Sequence, residues 1–354
     1  MNAVYIHIPF CTNICSYCDF CKFYKNEKWV HSYLEALEKE IKLNYKNEEI
    51  TTLYIGGGSP SSLTLNELKK LFDILKIFNL KNAEITIEVN SSDLTKKKIE
   101  FLKDKVNRVS IGFQTNNSKY LKLLNRENNI DMILYLKKYF SNINIDLMYG
   151  FNGQTKEELK KDLDFILSLK PTHISTYALI LEKHTKLYID NYIKDDDNDA
   201  DLYEFLNDYL KNYVHYETSN YALDGYQSKH NLVYWNNDNY YGFGLGASGY
   251  IGNVRYDNTK NLNKYLKGKF INSKHILDKN ETMQNAFILG FRKIKGIVVN
   301  DFKKRYNVNP LSLKIVQKQL KQGLLVYKDG YLYIDKKYLY VSNDILTYYM
   351  EEIK

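Results

Sequence analysis

Along the first half of the chain the apolar positions switch repeatedly between two periods. Short runs at Val4–Ile8, Thr51–Ile55, Glu84–Val89, Arg108–Phe113, Ile143–Met148 and His173–Leu179 read as strands. Between them, stripes at three- and four-residue spacing predict helices: Val30, Leu34, Leu37 and Ile41; then Leu65, Leu68, Phe72 and Leu75; later Leu159, Leu163 and Ile166. Strand and helix alternating over short connections predict an α/β fold with a parallel sheet, either open and doubly wound or a partial (β/α)6 barrel. The strands alternate more than parallel strands buried on both faces do. Ile85, Ile87 and Val89 oppose Thr86, Glu88 and Asn90, and Val109, Ile111 and Phe113 oppose Ser110, Gly112 and Gln114. Ile145 and Leu147 likewise oppose Asn144 and Asp146. With helices over the apolar face, the polar face lines something wet or ligand-filled, which favours a barrel with a roomy, polar interior.

The second half is patterned differently. An acidic run at 195–201 precedes a helical stripe from Leu202 to Leu210, where acids complement the helix dipole. A Tyr- and Asn-rich stretch with strand-like pieces follows, from Val214 to Tyr256. The last part predicts helices over Thr282–Phe291 and Leu311–Leu320, then a hairpin turning at Asp329-Gly330, a winged-helix-like order. Three regions are therefore expected: 1–225 as the β/α core, 226–275 as an extension, and 276–354 as a small α+β domain.

Composition narrows the class. A chain of 354 residues with 44% hydrophobic content suits a globular protein with one large core and a small one. No apolar run reaches bilayer length, and the amino terminus has no targeting pattern, so the cytoplasm is the expected compartment. The net charge of +8 is spread as Lys among Glu and Asp, which argues for a solvated surface over a nucleic-acid patch.

The chemistry concentrates in one stretch, YIHIPFCTNICSYCDFC. It carries all four cysteines, Cys11, Cys15, Cys18 and Cys21, on a loop leaving the first strand. Thiols this close in sequence do not cross-link a fold as disulfides would. Zinc is a rival, although structural zinc usually draws on two separated pairs. An iron–sulfur cluster accepts closely spaced thiolates on one loop. Further polar groups lie near the carboxyl ends of the successive strands, where β/α folds build their sites: Gly56-Gly57-Gly58, Glu88, Gln114 and Asp146.

These residues carry a resemblance that runs almost the full length. The C-x3-C-x2-C spacing with Tyr17, together with YIGGGSPSSL, ITIEVN, VNRVSIGFQ, NIDLMYGFNGQT, HNLVYW and YYGFGLGASGY, resembles the radical S-adenosylmethionine (SAM) family of oxygen-independent coproporphyrinogen III oxidases. Within it the chain is most similar to the haem chaperone branch. The resemblance implies a [4Fe–4S] cluster on Cys11, Cys15 and Cys18, with one iron left open for SAM, whose reductive cleavage gives a 5′-deoxyadenosyl radical. The resemblance leaves Cys21 outside that ligand set, and its role stays open, since the gap here is C-x2-C where the oxidases often show C-x-C. Carried over by motif, the SAM contacts are Tyr5, Tyr17, Gly57, Gly58, Glu88, Gln114, Arg126 and Asp146. Ser59 stands for a usual Thr, and Ser91 and Asn152 for usual prolines. The branch motif puts haem at His230, Tyr234 and Trp235, imidazole being a common iron ligand and the aromatics offering flat apolar surface.

Three functions follow, in order of preference. The first is a haem chaperone that binds a cluster, SAM and haem as cargo and delivers the haem to accepting proteins. It would have no nucleic-acid partner and no transmembrane segment, and homodimerisation and peripheral membrane contact are compatible with it. The second is a SAM-dependent oxidase that decarboxylates coproporphyrinogen III. The first strand starts at residue 3, which is read as leaving no room for the amino-terminal extension that the oxidase uses. The third is a zinc- or cluster-stabilised nucleic-acid-binding protein.

Overall fold

The computed structural model describes residues 2–352. Its centre is a run of six parallel strands, each beside its sequence neighbour: β1 (Asn2–Ile8), β2 (Glu49–Gly57), β3 (Asn79–Val89), β4 (Arg108–Gln114), β5 (Ile143–Tyr149) and β6 (His173–Ala178). All six lie where the alternating runs predicted them. They extend past those runs by one to five residues at several ends, because sheet pairing also recruits less apolar residues such as Asn79 and Asn2. Helices close each crossover. The first, Glu27–Asn44, is capped by Asn26 and buries Val30, Leu34, Leu37 and Ile41. The helices Leu65–Leu75 and Lys156–Ser168 both begin with a capping box, Thr64 with Glu67 and Thr155 with Glu158.

Six further strands lengthen the sheet. Val214–Glu217 (β7) and Asn220–Ala222 (β8) join beyond β6, with β8 antiparallel to it. On the other side Asn239–Phe243 (β9) runs parallel to β1, and Ser248–Ile251 (β10), Val254–Asn258 (β11) and Ile271–Ile276 (β12) continue as an antiparallel meander. The stretch expected to be an extension is thus part of the main sheet. The HNLVYW motif forms a short helix, Lys229–Trp235, that touches β1, β2 and β9.

A second apolar core, from Met283 to Tyr349, is separate from the first. It holds helices Lys279–Gly290, Val299–Tyr306, Lys314–Lys321 and Ser342–Glu352 and a sheet of Ile297–Val298, Leu325–Lys328 and Tyr331–Ile334. The hairpin turns at Asp329-Gly330 as expected, with both residues at positive φ. The helix expected from Leu311 starts at Lys314, because Asn309 and Pro310 first form a 3-10 turn. No helix among the described residues is long and apolar enough to cross a membrane.

Candidate functional site

The loop after β1 turns back through a two-residue parallel pairing of Phe10–Cys11 with Phe23–Tyr24, so the cysteines are held over the carboxyl ends of the strands. There one cavity of about 600 Å3 is lined by Cys11, Cys15 and Cys18, and by Gly57, Gly58, Glu88, Gln114, Arg126 and Asp146 from β2 to β5 and the loop after β4. Tyr17 lines it too, from the cysteine loop. A size in this range is ordinary for small-molecule and cofactor sites.

Each side chain arrives by a traceable local cause. Gly57 sits at φ +121°, and a Cβ there would come within 2.8 Å of His7 Nδ1 and 2.9 Å of the Ile8 amide. Only glycine lets β2 turn against the loop at this point. Its amide donates to Glu88 Oε2 at 3.1 Å, and the Tyr54 hydroxyl donates to Oε1 at 2.8 Å. Gln114 adopts φ +69° at a register shift between β4 and β5, a bulge that re-aims its side chain into the cavity. Arg126 donates from Nη2 to Asn90 Oδ1 at 2.6 Å and to the Gly112 carbonyl at 2.5 Å, while Nη1 lies 3.2 Å from Cys15 Sγ. Asp146 accepts from Asn144 Nδ2 at 2.7 Å.

The charges are poised by burial. Burial pushes the Cys11 thiol up to about 12, with Cys18 and Cys15 adding to the effect, and Cys18 is raised by burial as well. Glu88 is raised to about 7 by burial, which outweighs its bond from Tyr54. Asp146 is raised for the same reason, against the bond from Asn144. Burial would lower the Arg126 pKa, but Tyr17, Cys15 and Asp146 hold its charge and raise it. Apart from Arg126 and Lys22, an array of thiols and carboxylates with raised pKa values is one that gains from a cationic guest.

Tyr5 and the HNLVYW residues do not line this cavity. Tyr5 lies one layer below it, its hydroxyl 3.0 Å from His7 Nδ1, while His7 Nε2 donates to the Cys21 carbonyl at 2.7 Å. His230 is 1% exposed. Its Nε2 meets the Tyr234 hydroxyl at 2.8 Å, its Nδ1 meets the Thr52 hydroxyl, and its ring stacks on Tyr54 at 5.0 Å. Burial lowers its pKa to about 3, so the ring is neutral. Trp235 keeps a buried indole N–H with no partner.

Sequence reasoning placed Asn90 on the polar strand face with Glu88 without making it a site residue, and it did not single out Lys22, Tyr54 or Arg292. Lys22 Nζ donates to the Cys18 carbonyl at 2.5 Å, a contact that only the loop's fold creates. Cys21 does not line the cavity; its side chain faces Gly246. Among the described residues no three or more His, Cys, Asp or Glu side chains converge as a single-ion site.

Known proteins match this arrangement. The Radical SAM superfamily model covers residues 5–166. The heme chaperone HemW of Lactococcus lactis is 40% identical over 325 residues, spanning 86% of this chain and 85% of its own. The heme chaperone HemW of Bacillus subtilis is 32% identical with both chains covered completely, 100% of each. That of Escherichia coli is 31% identical over 83% of each chain. Coproporphyrinogen III oxidase (HemN) from Escherichia coli, a radical SAM enzyme, shares the fold with a TM-score of 0.84, at 22% identity, over 98% of this chain and 89% of that one. A strand-borne cysteine loop, a polar parallel lumen and likeness to such relatives along the whole length together show that the chain belongs to the HemW family of haem chaperones, within the radical SAM superfamily.

Proposed function

We propose that the protein is a haem chaperone that holds a [4Fe–4S] cluster on Cys11, Cys15 and Cys18 and SAM in the adjoining cavity, and hands haem to accepting proteins. The observation that carries this reading is the meeting of those three thiols with Gly57, Glu88, Gln114, Arg126 and Asp146 in one cavity. The donor set suits the group: three thiols line one cavity, Cys11 buried and Cys15 and Cys18 partly exposed beside open space. When bound, the cluster supplies an electron for cleavage of SAM. Arg126, its Nη2 fixed by Asn90 and Gly112, sets a buried positive charge beside Cys15 for the SAM carboxylate. Glu88 and Asp146 offer acceptors for its hydroxyl and amino groups, and the glycines let the backbone come close. Tyr17 closes the loop over the same space, and Tyr5 supports it from the layer below through His7.

His230 is the proposed iron ligand, with Tyr234 and Trp235 beside the porphyrin. As described above, both ring nitrogens are engaged, so ligation needs the motif helix to move and break the bonds to Thr52 and Tyr234. Anaerobic reconstitution tests the first half of the proposal. Cys11→Ala, Cys15→Ala and Cys18→Ala should each lose the cluster's visible absorbance and Cys21→Ala should keep it; a Cys21 variant that loses the cluster overturns the ligand set. Haem titration followed at the Soret band tests the second half. Saturable binding whose band position shifts in His230→Ala supports the assignment, and the same spectrum in both proteins removes His230 as ligand.

A further inference from the structure

The cavity has two unlike halves. The inner half, beside the cysteines, is polar and carries Glu88, Gln114, Arg126 and Asp146. Toward the solvent the lining turns apolar and aromatic, with Tyr177 and Ile180 from the barrel side and Tyr340 from the second core. Ile180 is 65% exposed, Tyr177 44% and Tyr340 43%, so large apolar surface is offered at the mouth from both cores. The charged methionine end of SAM gains nothing from such a wall.

One cation stands in this outer half. Arg292 follows the helix Lys279–Gly290 and donates from Nη2 to Asn343 Oδ1 at 2.8 Å, an aim set by a residue of the second core. No carboxylate lies within ion-pair distance of its guanidinium among the described residues. Glu217 is near, but its oxygens accept the Ser219 amide and the Asn220 side chain, and burial raises it to about 7, which leaves it a weak counter-charge. Asp19 and Glu182 also line the cavity, and Lys22 is already committed to the Cys18 and Phe20 carbonyls. A flat apolar guest that carries a carboxylate therefore has one favourable orientation, carboxylate toward Arg292.

We propose that haem docks in this outer half before any ligation by His230, its ring against Tyr177, Ile180 and Tyr340 and one propionate on Arg292. The proposal rests on the reading that haem is the cargo. It requires no movement of the motif helix.

The test titrates haem and haem dimethyl ester, whose propionates are blocked, into wild type, Arg292→Met, Arg292→Lys and His230→Ala, with folding checked by thermal melts. Wild type and His230→Ala should both prefer the free acid by roughly tenfold or more, the scale of a charge-assisted hydrogen bond. Arg292→Met should lose that preference, and Arg292→Lys should recover part of it, which a merely structural arginine would not show. If Arg292→Met keeps the preference, or His230→Ala abolishes all haem binding, docking at the mouth is overturned while the chaperone reading stands. If wild type binds no haem at all, the chaperone reading fails together with the docking.

Discussion

Glu88 faces the cavity with both oxygens already bonded, one to Tyr54 and one to the Gly57 amide. Its pKa is about 7 in the fold against 4.5 for a free glutamate. Between those values the folded chain keeps a proton that the unfolded chain has released, so Glu88 makes stability fall as pH rises through that window. Desolvation of this size corresponds to on the order of 2 kcal/mol, given that the carboxyl is partly open to the cavity. Glu88→Gln should therefore reduce the loss of stability between pH 5 and pH 8, read from urea unfolding at both. In the parent protein SAM affinity should rise over the same range, as the carboxylate becomes the better acceptor, and the variant should show a flatter profile. Glu88 and Asp146 were legible because strand parity puts every second residue on one face. Gln114 was legible by parity too, but its route into the site was not. A left-handed backbone at a bulge leaves no trace in the hydrophobic pattern, since the residue is not glycine.

Among elements, the turn after β2 and the motif helix are the most tightly determined. Gly57→Ala would place a methyl group against His7 and the Ile8 amide at a φ that L-residues avoid. A loss of about 2 kcal/mol or more is expected in thermal or chemical unfolding, with weakened SAM binding because the Glu88 donor moves. The Lys229–Trp235 helix begins at Ser228, whose side chain caps the Asn231 amide. Removing its histidine strands the Thr52 and Tyr234 hydroxyls inside the protein, so His230→Ala should cost about 2–3 kcal/mol. Its haem titrations should be made well below its melting temperature. The sequence showed a polar and aromatic motif, and such a motif reads equally well on a surface or inside a polar lumen. What decides is the layer of Thr52, Tyr54 and Glu84 beneath it, contributed by strands about 150 to 180 residues earlier in the chain. That contact is long-range and leaves no local signal.

At the scale of the molecule, the barrel half was readable almost strand by strand, because a parallel sheet with amphipathic crossovers writes its periods into the chain. The second half was less so. The strands from β9 to β11 were seen only as strand-like pieces, since Tyr and Asn blur the alternation, and β12 was not foreseen; their place on the β1 side of the sheet depends on a pairing across more than 200 residues. The two cores are tied by polar contacts as well as by the shared cavity. Arg305 donates to the carbonyls of Asn236, at 2.9 Å, and Asn237, and Lys293 reaches Asn236 Oδ1 at 2.6 Å. Arg305→Met should loosen this joint, and differential scanning calorimetry should resolve two transitions where the parent protein shows one. Interfaces of this polar kind are modest in strength, so relative motion of the units is the default. The cavity, however, takes lining residues from both units, Arg292, Tyr340 and Asn343 among them from the second. Any guest that spans it touches both, and by linkage it must strengthen their association by as much as that association strengthens its own binding. Cargo would then act as mortar: amide hydrogens along the seam at Thr218, Ile294 and Asn237 should exchange with solvent more slowly once haem is loaded, and release of the haem would be felt as a loosening of the whole carboxyl-terminal unit.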